Sequence, residues 1–383
     1  MATLDLVESA PVETTLRHPD LPDAAQAWLA LLGRARSTLD IAQFYVCDAP
    51  GTALVPVVAA IEAAAGRGVR VRLVADRTFY ARYPETLDRL GGQDGIEVRL
   101  LDMAAIAGGV LHAKLLLVDG RELYVGSHNL DWRSLTHVQE LGIRTDAPLV
   151  VRAFADVFES DWSVAGGGPI RSVTGGYALP DAARYAGCTV RLTPVFSPLG
   201  HLPDPSLWDL PRLVGLIDGA EHAVRVQVLT YQASETDLWF GDLDAALRRA
   251  AARGVDVRLL VSDWSLGPGA LEDLQSLQVL PRVEVRFASI PEASRGFIDH
   301  ARVVHAKYLV VDQLRAWVGT SNWSRTCFHQ SRNAGVLLEG SALGERLERL
   351  FADLWASPYA RFLDPTARYA PPRVAHPAGE EAS

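Results

Sequence analysis

The sequence predicts an α/β protein built from two tandem copies of one α/β/α sandwich domain, related by a pseudo-two-fold, with one shared site at their interface. Two observations support this prediction. Residues 111–129 read LHAKLLLVDGRELYVGSHN and residues 304–322 read VHAKYLVVDQLRAWVGTSN, at a constant offset of 305 − 112 = 193. Strands also alternate with helices in the same order in both copies, which is typical of a mixed sheet covered on both faces.

Each copy is predicted to contain a strand, an Ala-rich amphipathic helix, a second strand, a further helix and a third strand ahead of the repeated motif. These strands are Leu39–Val46, Val69–Ala75 and Ile96–Leu101 in the first copy, and Val224–Leu229, Val255–Val261 and Val283–Phe287 in the second. The runs LLLV and YLVV inside the motifs are continuously apolar, as expected of strands buried on both faces. A short strand and a final helix complete each copy.

Domain boundaries follow from the repeat and from local composition. The stretch 166–190 contains GGGP and further Gly, Pro and Ser residues, which favour a connector. The final residues are polar and proline-rich and are expected to be disordered. The predicted organisation is an N-terminal segment 1–23, a first domain 24–165, a connector 166–190, a second domain 191–365 and a tail 366–383.

Composition limits the class of protein. With 49% hydrophobic and 22% charged residues, the chain is an ordinary globular protein, and its formal net charge of −9 argues against a broad basic surface for duplex DNA. No segment approaches the roughly 20 apolar residues that a membrane span needs, so we expect a cytoplasmic protein. Three widely spaced cysteines, Cys47, Cys188 and Cys327, predict neither a disulfide framework nor a metal-binding pair.

The H-x-K part of the motif places two polar side chains on one face of a strand. Residues two apart on a strand point the same way, so His112 projects with Lys114, and His305 with Lys307. A single H-x-K set would be an accident of the surface. Two sets with identical spacing between apolar strands are not explained by packing, and they indicate a functional site.

The rest of the motif adds short hydrogen-bonding side chains. Asp119 and Asp312 lie an odd number of positions beyond the lysine and are expected to hold the backbone of a turn. A glycine follows in each copy and is expected to let the backbone approach a ligand. The candidate phosphate-binding residues beside it are Ser127 and Asn129 in the first copy and Thr320 and Asn322 in the second.

Both copies resemble the H-x-K-x4-D-x6-G-S/T-x-N signature of the phospholipase D superfamily. Beyond the motif, AQAWLALLGRARSTLDIAQFY, VLHAKLLLVDGRELYVGSHNLDWRSLTHVQELG and LWASPY look like the animal lysosomal phospholipase-D-like 5′-exonucleases. The similarity covers nearly all of residues 5–365. The membrane anchor and paired cysteines of those proteins are not seen here, so a lysosomal location is not expected to carry over.

The resemblance implies a two-step displacement without metal or cofactor, in which one histidine attacks phosphorus and the other protonates the leaving oxygen. Lysine and asparagine side chains would neutralise the nonbridging oxygens. In the superfamily, a carboxylate 11 positions after the motif asparagine orients the motif histidine. Glu140 has this position, and its counterpart is Asn333. We therefore expect His112 to be the nucleophile and His305 the general acid, with the reverse assignment left open.

Three functions remain to be separated. The favoured one is a single-stranded nucleic-acid 5′-exonuclease, and the alternative is a phospholipase D or transphosphatidylase acting on a phospholipid. A non-catalytic nucleic-acid tether is disfavoured by the intact motifs in both copies. A homodimer is not required for the site. Six aromatic residues near strand ends or motifs are candidates either for base stacking or for core packing: Phe44, Tyr45, Tyr231, Trp264, Trp323 and Phe328.

Overall fold

The computed structural model describes residues 1–173, 176–235 and 238–376. The first half contains, in chain order, β1 (Ala2–Ser9), α1 (Ala24–Arg34), β2 (Thr38–Gln43), β3 (Val46–Cys47), α2 (Leu54–Gly66), β4 (Arg70–Asp76), α3 (Arg77–Tyr80), α4 (Glu85–Gly91), β5 (Ile96–Leu101), α5 (Met103–Ala107), β6 (Leu115–Val118), β7 (Glu122–Gly126), β8 (Leu130–Asp131), α6 (Trp132–Thr136), β9 (Val138–Thr145) and α7 (Pro148–Ala165).

The second half repeats this order with additions. It contains β10 (Asp181–Tyr185), β11 (Cys188–Ser197), α8 (Asp209–Asp218), β12 (Ala223–Gln227), β13 (Ser234–Glu235), β14 (Leu238–Trp239), α9 (Asp242–Ala252), β15 (Asp256–Ser262), α10 (Ala270–Gln278), β16 (Val283–Ala288), β17 (Val303–Val304), β18 (Tyr308–Val311), β19 (Arg315–Gly319), α11 (Arg325–His329), β20 (Asn333–Glu339), α12 (Ser341–Trp355) and β21 (Ala360–Phe362). Short 3-10 turns at Leu199–His201, Pro205–Leu207 and Asp263–Leu266 complete it.

Each half builds one mixed sheet. The strand order of the first is β5-β4-β2-β6-β7-β9-β1, and that of the second is β16-β15-β12-β18-β19-β20-β11, with β21 and β10 added at its edges. Three neighbouring strands run parallel in each sheet and the others are antiparallel. The predicted repeat of a mixed α/β sheet is confirmed.

The two sheets lie in a layered sandwich. Helices α1 and α2 cover the outer face of the first sheet, and α8, α9 and α10 cover that of the second. The third core lies between the sheets, where α7 contributes Phe154 and Phe158 and α12 contributes Leu347 and Phe351. All four of these side chains are almost fully buried. Both faces of each sheet are therefore covered, which explains the continuous apolar runs of the motif strands.

The N-terminal segment belongs to the first sheet. Strand β1 pairs with β9 in the same way that β11 pairs with β20, so Ser9 lies opposite Glu140 and Ser197 lies opposite Asn333. The first domain thus begins with β1, not at the boundary 23/24 expected from the sequence. The expected connector also contributes β10, which joins the sheets by pairing with both β1 and β11. Each of these strands stands alone in the sequence without a repeated motif beside it, so its residue pattern was too weak to assign it to a sheet.

The expected disordered tail is partly packed. Residues 366–376 have little regular structure, yet the Tyr369 ring packs edge-on against Phe287 at 5.3 Å, and the Arg373 guanidinium lies 4.1 Å from the centre of the Phe297 ring. The backbone N–H of His376 donates to the carboxylate of Asp299. Residues 377–383 lie outside the described part of the chain. Within that part, no helix is both long and apolar enough to cross a membrane.

Candidate active site

The motif strands of the two halves cross over to each other. The backbone N–H of His112 donates to the carbonyl of Arg332 at 2.8 Å, and that of His305 donates to the carbonyl of Gln139 at 2.8 Å. Strand β17, just before His305, also pairs in parallel with the start of β9. The residues that follow these two carbonyl acceptors are Asn333 and Glu140, and each therefore lies next to the histidine of the other half.

This crossing decides which side chain holds each imidazole. His305 Nδ1 lies 2.7 Å from Glu140 Oε2, and His112 Nδ1 lies 3.0 Å from Asn333 Oδ1. The expectation that Glu140 orients His112 is wrong, because the strand that carries Glu140 reaches the opposite half. With Nδ1 held as a donor, Nε2 is the nitrogen left for chemistry on each ring. Both rings line one cavity of about 240 Å³.

Glu140 is held as a buried carboxylate. Its second oxygen, Oε1, accepts a hydrogen bond from the Ser134 hydroxyl at 2.9 Å, and the side chain is fully buried. Burial works to raise its pKa, but the charge and hydrogen bond of His305, with help from His128 and Lys307, hold the pKa well below the ordinary value. Glu140 is therefore ionised. Ser134 was missed from the sequence because a lone serine five positions after the motif carries no signal.

The two histidines differ in how easily they take a proton. Burial is the largest cause that lowers the pKa of both, and the positive charges of Lys114 and Lys307 add to it. Glu140 opposes this effect at His305, whereas His112 has only the neutral Asn333 and its pKa lies well below the ordinary value. The site is therefore electrostatically asymmetric although its motifs are identical.

The motif lysines are fully buried beneath the histidines. Lys114 Nζ donates to the backbone carbonyl of His112 at 2.5 Å, and Lys307 Nζ donates to that of His305 at 2.6 Å. Burial lowers the pKa of Lys307 to about 7; burial and the charge of Lys307 hold the pKa of Lys114 well below its ordinary value. Because the two lysines have too few nearby anions to stabilise their protonated forms, the site favours an incoming anion.

The asparagines and hydroxyls of the motif separate into two roles. Asn129 lines the cavity, and among the described residues its Oδ1 and that of Asn322 are buried without a hydrogen-bond partner. Ser127 and Thr320 are fully buried, and each hydroxyl accepts a backbone N–H at 3.0 Å, from Leu141 of β9 and from Ala334 of β20. Thr320 also donates to Asn333 Oδ1 at 2.8 Å. Ser127 and Thr320 thus help to position strands β9 and β20, and the phosphate-binding role expected from the sequence stays a prediction.

The motif aspartates occupy a turn in the left-handed region. Asp119 and Asp312 both have φ of 53°, a conformation that aspartate tolerates better than most side chains. Each carboxylate accepts several backbone N–H groups from the loop before the first central strand of its own half. The donors are Arg36, Ser37 and Thr38 in the first half, and Glu221, His222 and Ala223 in the second.

The motif glycines serve strand packing. A Cβ at Gly126 would lie 2.5 Å from the Cα of Gly142 and 2.9 Å from the Tyr124 hydroxyl, and Gly319 is similarly crowded by Trp317 and Ala334. The glycine was expected to let the backbone approach a ligand. Instead it lets two strands and a ring pack closely, and this requirement explains why the glycine recurs in both copies.

Aromatic side chains form the walls of the cavity. Phe44 lies beside the motif histidine of the first half, with its ring centre 5.0 Å from that of His112 and 3.8 Å from that of Phe79. Tyr45 stacks on Tyr83 at 4.9 Å, and Trp264 contributes from the second half. The other three aromatic candidates, Tyr231, Trp323 and Phe328, lie in the core of the second half. Sequence reasoning missed Phe79 and Tyr83, which follow β4 with no motif around them.

Comparisons of the sequence with known proteins identify the family. A sequence model of the family described as "Cardiolipin synthase, PLD-like domain" matches residues 28–162 and 213–355. The chain is 32% identical to the 5′-3′ exonuclease PLD3 of Bos taurus, over 94% of this chain and 81% of that protein. It is 28% identical to phospholipase D Z of Dictyostelium discoideum, over 94% and 90%. The chain therefore belongs to the phospholipase D superfamily, and it is a phosphodiesterase.

Solved structures share the fold at low sequence identity. Phosphatidylserine synthase of Haemophilus influenzae superposes with a TM-score of 0.63 at 11% identity, over 88% of this chain and 85% of that one. Polyphosphate kinase of Porphyromonas gingivalis gives a TM-score of 0.59 at 14% identity, over 95% and 49%. At these identities the likeness establishes the tandem fold alone.

Proposed function

We propose that the protein hydrolyses single-stranded nucleic acid from its 5′ end through a phosphohistidine intermediate. The observation that carries the proposal is the pair of imidazoles, one from each half, that are held at Nδ1 and line one cavity, with a buried lysine bonded to the backbone carbonyl of each histidine. Phosphoryl transfer depends mainly on positioning and on neutralising the charge of the nonbridging oxygens. Lys114, Lys307 and Asn129 supply those functions without a metal ion.

We assign the nucleophile to His305. When Nε2 of an imidazole that keeps its Nδ1 proton attacks phosphorus, the ring becomes cationic, and the ionised Glu140 beside Nδ1 stabilises that charge. His112 donates its Nε2 proton to the leaving oxygen, aided by the amide oxygen of Asn333, which keeps the ring oriented. The sequence predicts that the histidine held by Glu140 is the nucleophile, and it indicates His112 as that histidine. Because Glu140 contacts His305 instead, the same criterion now reverses the assignment.

The proposed reaction has two steps. A P–N bond forms at His305 while the bond from phosphorus to the 5′ oxygen of the downstream strand breaks, and that oxygen takes the His112 proton. Neutral His112 then removes a proton from water, the water oxygen attacks phosphorus, and the P–N bond breaks. The product is a nucleoside 3′-monophosphate, and the remaining strand carries a 5′ hydroxyl ready for another cycle.

The choice of nucleic acid over lipid rests on the cavity walls and the relatives. Rings of Phe44, Phe79, Tyr83 and Trp264 line the same cavity as the histidines, and nucleobases stack on such rings with little sequence preference. The relatives named 5′-3′ exonucleases PLD3 and PLD4 match nearly the whole chain, at 32% and 31% identity. The relative named phospholipase D Z keeps the lipid alternative open to test.

The test uses a 3′-labelled single-stranded oligonucleotide and, in a separate tube, phosphatidylcholine, both with excess chelator. Stepwise shortening from the 5′ end is expected, together with release of nucleoside 3′-monophosphates. His305→Ala serves as the inactive control. Shortening from the 3′ end, or robust phosphatidylcholine hydrolysis with no cleavage of DNA or RNA, would overturn the proposal, the second result in favour of the lipid activity.

A further inference from the structure

A polar bridge joins the two walls of the cavity at its rim. The side chain of Arg82, from the first half, lies with Nη2 2.8 Å from Nε2 of His300, from the second half. The Arg82 guanidinium also lies 5.5 Å from the centre of the Tyr83 ring, and the His300 ring meets Trp264 edge-on at 6.2 Å. All four side chains line the cavity, so together they span the gap between its walls.

The second-half end of this bridge is fixed by several contacts. His300 has a φ of 55°, and its backbone N–H donates to the carbonyl of Val374 in the C-terminal tail at 2.8 Å. The preceding residue, Asp299, accepts at its backbone carbonyl from Nη1 of Arg133 at 3.2 Å and at its carboxylate from the backbone of His376. The loop that presents His300 is therefore held from both sides.

The residues of the first half that contact this loop are themselves held by hydrogen bonds. Arg133 is buried and pairs with the carboxylate of Asp131 through Nε at 2.9 Å and Nη2 at 2.6 Å. Asp131 also accepts a hydrogen bond from the hydroxyl of Tyr45 at 2.7 Å, which links this pair to the aromatic wall. Two arginines of the first half thus hold two consecutive residues of the second, and their contacts set the shape of the rim.

We propose that the Arg82–His300 bridge is an end stop that closes one end of the cavity, so that a nucleic-acid strand enters only by a free terminus. This inference rests on the proposed nuclease function and explains its exonucleolytic character. A strand threaded through the cavity would need both ends of the groove open. A bridged groove admits a terminal nucleotide beneath the bridge and holds the next phosphate at the histidines.

The experiment compares a covalently closed circular single strand with a linear strand of the same sequence. The variants are Arg82→Ala and His300→Ala, and the matched control is Arg89→Ala, an arginine paired with Asp48 and Glu62 away from the cavity. The readout is the ratio of circle to linear cleavage within each protein. We expect the wild type and the control to leave circles intact and the two bridge variants to raise the ratio on the order of tenfold.

The outcomes separate the two proposals. If the wild type cleaves linear strands while circles stay intact in both bridge variants, the end stop is refuted and the exonuclease activity stands. Loss of linear cleavage in both bridge variants would also overturn the end stop, because a barrier is not needed for the chemistry. Cleavage of circles by the wild type would overturn both the end stop and the exonuclease proposal. Failure of the nuclease function itself would appear as no cleavage of linear strands by the wild type.

Discussion

The two halves of the site share a scaffold and differ in chemistry. Positions related by the offset of 193 keep the same task where they build the fold: Asp119 and Asp312 hold equivalent turns, and Ser127 and Thr320 hold equivalent strands. The equivalent positions that contact the imidazoles differ, because Glu140 corresponds to Asn333. The repeated aspartates and hydroxyls therefore support the structure. The single carboxylate, Glu140, gives the two histidines different electrostatic surroundings.

The sharpest test of this inequality removes each histidine in turn. His112→Ala and His305→Ala should each lower DNA hydrolysis by roughly 10⁴-fold or more, and the double variant should be no worse, because the residues act as a unit. On a methyl nitrophenyl phosphodiester, whose leaving group needs no proton, His112→Ala should recover the first step, seen as a burst of about one nitrophenolate per enzyme, and His305→Ala should give no burst. Recovery in His305→Ala instead would exchange the two roles. Release of nitrophenolate is the measurement.

A smaller difference is expected between the two partners of the imidazoles. Glu140→Gln removes the charge that we propose stabilises the phosphohistidine, and it should lower kcat about 10²–10⁴-fold. Asn333→Ala removes one neutral acceptor and should cost about tenfold, since hydrogen bonds between neutral groups contribute about 1 kcal/mol. Steady-state kinetics on a short oligonucleotide compares them. Equal losses in both variants would show that orientation, not charge, is what the partners provide.

The pH profile should respond to the same asymmetry. In the proposed roles, the alkaline limb of kcat/KM reports His112, which must be protonated, and burial with the two lysines places this limb below the ordinary histidine value. Asn333→Asp puts a carboxylate beside the imidazolium, which raises the pKa of His112 and should move the alkaline limb to higher pH by about one unit or more. A shift confined to the acid limb would contradict the assignment.

The smallest effect concerns stability. The pKa of Lys307 is lowered to about 7 in the folded protein, so between pH 7 and its ordinary value of about 10.4 the unfolded chain binds more protons. Stability contributed by this residue therefore falls as pH drops through that window. Lys307→Met should inactivate the enzyme yet raise the unfolding temperature, more at pH 7 than at pH 10, by about 1 °C for each kcal/mol recovered.

Thermal unfolding at both pH values, with Arg89→Ala as a surface control, measures this effect. A Lys307→Met protein that is less stable at pH 7 than the wild type would show that the hydrogen bond from Lys307 to the His305 carbonyl outweighs the cost of the buried charge.

Much of the fold could be predicted because its signals are local. The six predicted core strands all exist, with ends shifted by a few residues, since runs such as LLLV record burial directly. The motif residues could be identified because two copies at one spacing reinforce each other. Weaker local signals failed: β1 was assigned to a separate segment, and the partly packed tail was expected to be disordered.

By itself, the sequence determined the repeat, the superfamily and the residues of the motif, because these are encoded at fixed spacings along the chain. Only the tertiary structure decided which side chain serves which histidine. The motif strand of each half hydrogen-bonds to the strand of the other half, so Glu140 reaches His305 across the interface and Asn333 reaches His112. Partners separated by 165 and 221 residues are brought together by sheet pairing, which no local pattern records.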